Sequence, residues 1–134
     1  MPLTFLNPAK LHDPTLMSYS HTVSVSGGSG LVFVSGQYAS DKQGGVVSTE
    51  FAAQVEVAFN NLQSCLAAHR LDLDSVAQLR TYIVNHDVEK AAALGQAVQA
   101  RWGAQLPAHT LVGVASLAMP DILFEVEAVA IRSA

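Results

Sequence analysis

Residues 77–115 read AQLRTYIVNHDVEKAAALGQAVQARWGAQLPAHTLVGVA, and two changes of hydrophobic period within them decide the fold. From Ala77 to Val84 the period is two, with Leu79, Thr81 and Ile83 on one face and Gln78, Arg80 and Tyr82 on the other, as in a strand. Asp87 stands where a side chain caps a helix, and a helical period runs from there to about Trp102. Val88, Ala91, Gly95, Val98 and Trp102 form its inner stripe, and Gly103 ends it. Ala108 to Ala115 reads as the next strand.

Working outward, a second helix precedes this unit. Phe51, Val55, Ala58, Leu62, Cys65 and Leu66 recur at helical spacing up to about Arg70. Ser48 or Thr49 is placed to cap it, and Gln54, Glu56, Asn60, Asn61 and Gln63 fall largely off its stripe. Before it, after an irregular start, Thr22–Ser26 alternates and Leu31–Ser35 is a more buried strand. The Gly27-Gly28-Ser29-Gly30 cluster between them is a hairpin signal. A last strand, Ile122 to Ile131, follows a turn around Met119-Pro120-Asp121. The expected order is β-β-α-β-α-β-β over one α/β (α+β) domain, residues 1–134, a mixed sheet with both helices on one face. The other face then needs a cover, which points to self-association.

Composition narrows the function classes. A chain of 134 residues builds one core and needs no disulfide or structural metal to hold it. Half the residues are apolar and 13% are charged, about half the usual share, so part of the surface is expected to be buried against other copies. The net charge of -4 and seven scattered basic residues argue against nucleic acid. Cys65 is the single cysteine, expected in the core, and excludes an internal disulfide. His12, His21, His69 and His86 lack metal-ligand spacing, so no metal is expected. No stretch is long and apolar enough to span a membrane, and the N-terminus does not read as a signal peptide; the expected address is the cytoplasm.

Several short motifs, in order, then carry a resemblance. They are Ser18-Tyr19-Ser20, Val34-Ser35-Gly36-Gln37, Gln54 through Asn61-Leu62, Pro107-Ala108 and Phe124-Glu125-Val126-Glu127-Ala128-Val129-Ala130. From about Asn7 to the C-terminus the chain resembles the RidA (YjgF, Rid) family. The resemblance implies a chorismate-mutase-like fold and a homotrimer with small-molecule clefts between subunits. It further implies a hydrolase (deaminase) of small imines and enamines that needs no metal or organic cofactor. It places a substrate-closing tyrosine at Tyr19, the Ser-Gly segment at Ser35 and Gly36, and a water-positioning glutamate at Glu125. Where the family carries a carboxylate-binding arginine after Pro-Ala, this sequence has His109.

The residues themselves leave alternatives open. Glu125 and Glu127 share a strand face. A solvated face is the plain reading for Glu127, whereas Glu125 is divided evenly between that and a functional carboxylate. His109 is a weaker carboxylate ligand, a general acid/base for another substrate, or a cleft-lining side chain, because a neutral imidazole cannot reproduce a guanidinium's bidentate grip. Tyr19 closes a cleft or packs its ring. Ser35 has no nucleophile context, Gly36 permits a tight turn or close backbone approach, and Arg80 is a surface residue or a cation offered across an interface. Two functions follow. The first is a Rid-type hydrolase of altered substrate preference, in which Glu125 and His109 act and Tyr19, Ser35, Gly36 and Leu111 bind substrate. The second is a non-catalytic trimer that binds a small carboxylated or aromatic metabolite or a protein. Cleavage of single-stranded RNA is the weakest reading, given the acidic balance.

Overall fold

Leu79, Thr81 and Ile83 are fully buried and Arg80 between them is exposed, as an alternating strand against a one-sided core requires. This strand, β4 (Val76–Val84), lies in a computed structural model that describes residues 3–11, 13–18 and 20–133, with the main chain alone for Met17, Thr22, Gly28 and Ser133. The other elements are β1 (Leu3–Leu6), β2 (Thr22–Val25), β3 (Gly28–Gln37), α1 (Phe51–Ala67), α2 (Val88–Trp102), β5 (Ala108–Val114) and β6 (Phe124–Ser133). A four-stranded sheet has the order β3-β6-β4-β5. Its β4–β5 pair is parallel and its β4–β6 and β3–β6 pairs are antiparallel, so the sheet is mixed and the chain is a single α+β domain.

Both helices cover one face. Phe59 of α1 packs its ring edge on Trp102 of α2 at 5.7 Å and against Phe124 of β6 at 5.8 Å. Each such side chain contributes about 1.5–3 kcal/mol by leaving water. Trp102 also donates its indole N–H to the Leu73 carbonyl, so its polar atom is satisfied inside the core. Cys65 is a free thiol packed against this core.

The ends of α2 are as expected: Asp87 accepts from the Lys90 main-chain N–H at 2.8 Å, and Gly103 takes a left-handed φ of 60°. Its inner stripe is as expected only at Val98 and Trp102. Leu94, Ala97, Val98 and Trp102 face the core, while Val88 is 84% exposed. Alanine is compatible with either side, so the bulky Leu94 sets the rotation and the stripe turns away from Val88 and Gly95.

Four further expectations are corrected. The irregular start contains β1, which pairs antiparallel with β2 as a separate two-stranded sheet. The glycine cluster is therefore no hairpin; β3 begins inside it, at Gly28, and pairs with β6. The chain passes between sheets there, with φ of 66° at Gly27 and 156° at Gly30, which only glycine adopts freely. At α1 neither Ser48 nor Thr49 caps; Glu50 occupies the cap position without a side-chain bond, and Ser48 Oγ accepts from the Glu50 N–H instead. Gln54, expected off the stripe, is fully buried. Its amide donates to the Ser48 and Asp121 carbonyls (2.8 and 2.9 Å) and accepts from the Leu123 N–H, which ties α1 to the loop before β6. Asn61 does the same for Tyr38, whose carbonyl accepts at 2.9 Å.

Candidate active site

The sheet face turned away from the helices carries the acidic residues. Arg80 pairs with Glu127 and Tyr82 with Glu125 in the β4–β6 register, so both glutamates and their partners point outward. Glu127 accepts from the Tyr82 hydroxyl and lies 3.9 Å from Arg80. The Tyr82 hydroxyl is held above its ordinary pKa, first by that hydrogen bond and then by burial.

Glu125 has a different neighbour. Val34 pairs with Ala128 and Gln37 with Val126, so Ser35 and Gly36 together oppose the single residue Glu127, a β-bulge. The bulge brings the Gly36 main chain under the Glu125 carboxyl: a Cβ on residue 36 would fall 2.8 Å from Glu125 Cδ. Burial, and then the charge of Glu127, push the Glu125 carboxyl above the usual glutamate range. Ser35 is exposed, and its carbonyl accepts from the Gln37 amide at 3.0 Å.

His109 lies elsewhere. It pairs with Leu79, and Leu111 with Thr81, so both point to the helix side, opposite to Glu125. His109 Nε2 is 2.8 Å from Thr81 Oγ1, and the ring's other partner is the main chain of Ser18. Burial lowers its pKa from 6.5 to about 4, so the imidazole is neutral at pH 7. A neutral imidazole has one N–H, and a carbonyl only accepts. The N–H therefore goes to Ser18, and the Thr81 hydroxyl donates to Nε2. Leu111 packs against the core.

One chain thus brings Gly36 and Glu125 together and separates them from His109 and Leu111. Tyr19 and His12 lie outside the described residues. Thr81 is a site residue that the sequence reading does not single out, although it leaves a signal: a hydroxyl in the apolar row between Leu79 and Ile83 must find a partner. Among the described residues no group of three His, Cys, Asp or Glu side chains is placed to hold a metal ion, and no helix is long and apolar enough to cross a membrane.

The family model for endoribonuclease L-PSP matches residues 11–132. The chain belongs to this family, the Rid (YjgF) superfamily. Among solved structures of Rid proteins, YyfB from Yersinia pestis, a Rid-family protein of unknown function, is 29% identical with a TM-score of 0.92, over 98% of this chain and 99% of that one. Yeast Mmf1 is 26% identical with a TM-score of 0.69, covering 98% and 99%. RidA from the Antarctic bacterium Psychrobacter is 25% identical with a TM-score of 0.68, covering 93% of each chain. No curated protein matches.

Proposed function

We propose that this Rid protein hydrolyses a small imine or enamine lacking the α-carboxylate, with Glu125 holding the attacking water. The observation that carries this reading is a carboxylate of raised pKa at Glu125 combined with a neutral, doubly bonded imidazole at the arginine position. An arginine fork there would offer a substrate carboxylate two charged hydrogen bonds, each worth about 1.5–3 kcal/mol. Without them a carboxylated imine gains little. A protonated imine without a carboxylate, by contrast, is attracted by the Glu125 and Glu127 charges.

The reaction consumes one imine and one water and yields one carbonyl compound and one ammonia. Glu125 takes a proton from water as the oxygen–carbon bond forms, and returns it to nitrogen as the carbon–nitrogen bond breaks. Ser35 and Gly36 would offer main-chain contacts beside it, and Tyr19 and Leu111 would line the far wall. Because Glu125 and residue 109 point to opposite sides of one sheet, a cleft touching both needs two copies. The outward Leu31 and Phe33, 53% and 73% exposed, support the trimeric assembly typical of Rid proteins. The acidic balance stands against RNA as substrate.

The test is to generate 2-iminopropanoate with an amino-acid oxidase and an uncarboxylated imine with an amine oxidase, and to time the release of each carbonyl product. The expected result is acceleration of the uncarboxylated imine over buffer, lost in Glu125→Gln, with 2-iminopropanoate near the buffer rate. Both imines at buffer rates would overturn the reading. The full use of both His109 nitrogens favours a second one, a non-catalytic trimer that binds a small metabolite or a protein. There Glu125→Ala leaves ligand affinity mostly intact and no turnover exists to lose.

A further inference from the structure

The chain leaves α1 through a turn that favours glycine and holds an arginine instead. The Leu71 N–H donates back to the Leu66 carbonyl at 3.0 Å, and Arg70 before it takes a left-handed φ of 60°. Helices that close in this way commonly place glycine at the left-handed position, because a Cβ is strained there. Gly103 does so at the end of α2, with the same φ. Arg70 keeps a side chain against that backbone preference, and strain of this kind gathers where a side chain has work to do. Arg70 lines an open cavity of about 350 Å³ together with His69, Asp72, Ser75 and Arg132 of β6. Small-ligand sites begin at about 300 Å³, so the space holds more than a bare ion.

Among the described residues Arg80, Lys90 and Arg101 each pair with a carboxylate, whereas Arg70 and Arg132 pair with none. Arg132 donates from Nη2 to His69 Nδ1 at 3.3 Å. A guanidinium has no acceptor, so Nδ1 accepts and the N–H of the neutral ring is on Nε2. The carboxylate at the rim, Asp72, accepts from the Asp74 N–H at 3.0 Å in the short turn Leu73–Ser75. The lining still carries two guanidiniums against one carboxylate, on a chain of net charge -4. The carbonyl end of α1 favours one cation nearby and gives no reason for a second brought from β6.

We infer that this cavity binds the phosphoryl group of a small phosphate ester. Two guanidinium forks, an imidazole N–H and the Ser75 hydroxyl suit three terminal oxygens better than the two of a carboxylate. Two cations are too few to hold a nucleic-acid backbone. From Glu125 to Arg132 the strand runs about 23 Å, so this site is separate from the candidate active site and does not depend on the imine-hydrolase reading.

The experiment titrates the full chain with glycerol phosphate, inorganic phosphate and acetate, and with sodium chloride at matched ionic strength as the reference. It reads the amide NMR signals of Leu71 and Ser75. Saturable shifts are expected with both phosphates, tightest for the ester, and none with chloride. Arg132→Gln and Arg70→Gly are each expected to weaken binding about tenfold or more. Lys42→Gln, the same change of charge on an exposed turn, leaves it unchanged. Arg70→Gly is also expected to keep or raise the urea midpoint, since glycine relieves the left-handed position. That variant therefore folds, and a lower midpoint would mean that Arg70 serves packing and would overturn the site. Shifts reproduced by chloride, or affinity unchanged in both arginine variants, would overturn it as well. Acetate or the free phosphate ion binding more tightly than glycerol phosphate would overturn the assignment to a phosphate ester.

Discussion

The carboxyl of Glu125 lies directly over the α-carbon of Gly36, in space a side chain on residue 36 would occupy. The contact crosses the β3–β6 pair at a bulge, where Ser35 and Gly36 of β3 face the single residue Glu127 of β6. A glycine in one motif and a glutamate in another are therefore a single feature: the bulge supplies the opening and the carboxyl fills it.

Gly36→Ala tests that coupling. The displaced group is the end of a flexible side chain, so Glu125 can swing aside. The expected loss of stability is below about 1 kcal/mol, whereas imine turnover falls by about tenfold or more because the carboxylate leaves its place. Urea unfolding alongside the carbonyl-release assay checks both halves; a variant of unchanged turnover would mean that Glu125 does not act from this position.

The pH profile of turnover follows from Glu125. A base with a pKa above the usual glutamate range loses activity as pH falls through that raised value. Glu127 is the second cause of the shift, so Glu127→Gln moves the acid limb of kcat/KM to lower pH. A limb that stays in place would assign the titration to another group.

His109 makes stability fall with acidification as well. Its pKa is 6.5 when free and about 4 when folded, so between these values the unfolded chain holds the extra proton. Stability from this residue is complete above about pH 6.5, declines on acidification, and stops changing below about pH 4. Glu125, whose folded pKa is raised, gains stability over part of the same descent and offsets some of the loss. Thermal melts from pH 7 to pH 4 are expected to show a flatter decline in His109→Gln than in the parent.

Gln54 joins α1 to two loops through three hydrogen bonds from a fully buried amide. Gln54→Leu leaves the Ser48 and Asp121 carbonyls and the Leu123 N–H without that partner. The expected cost is about 2–4 kcal/mol, read as a lower urea midpoint at unchanged slope.

The outward sheet face predicts assembly. Phe33 is 73% exposed beside Arg80 and Glu127, an apolar ring on a face with no cover in the single chain. Sedimentation is expected to give a trimer for the parent and a monomer for Phe33→Asp. A monomeric parent at micromolar concentration would remove the inter-subunit cleft from the proposed mechanism.

Much of this was legible in the residue order. Alternation fixed which residues of β4 and β6 face the core, Asp87 and Gly103 marked the ends of α2, and the glutamates of β6 were seen to share a face. These are local periodicities, and the physics behind them acts over a few residues. Strand partners were not legible: the glycines after β2 look like a hairpin turn, and only the packing of the β6 apolar row under α1 draws β3 to β6 instead. The rotation of α2 was hidden because its alanines suit either side.

What the sequence alone determined is the set of elements from β2 onward, the inward faces of β4 and β6, and a histidine at position 109. What the tertiary structure decided is what that histidine does. Its charge depends on how deeply the fold buries it, and its two nitrogens on Thr81 and Ser18, residues distant in the chain that meet only when β4, β5 and the N-terminal segment come together. Desolvation and hydrogen-bond geometry are properties of that assembly, and no local pattern of residues encodes them.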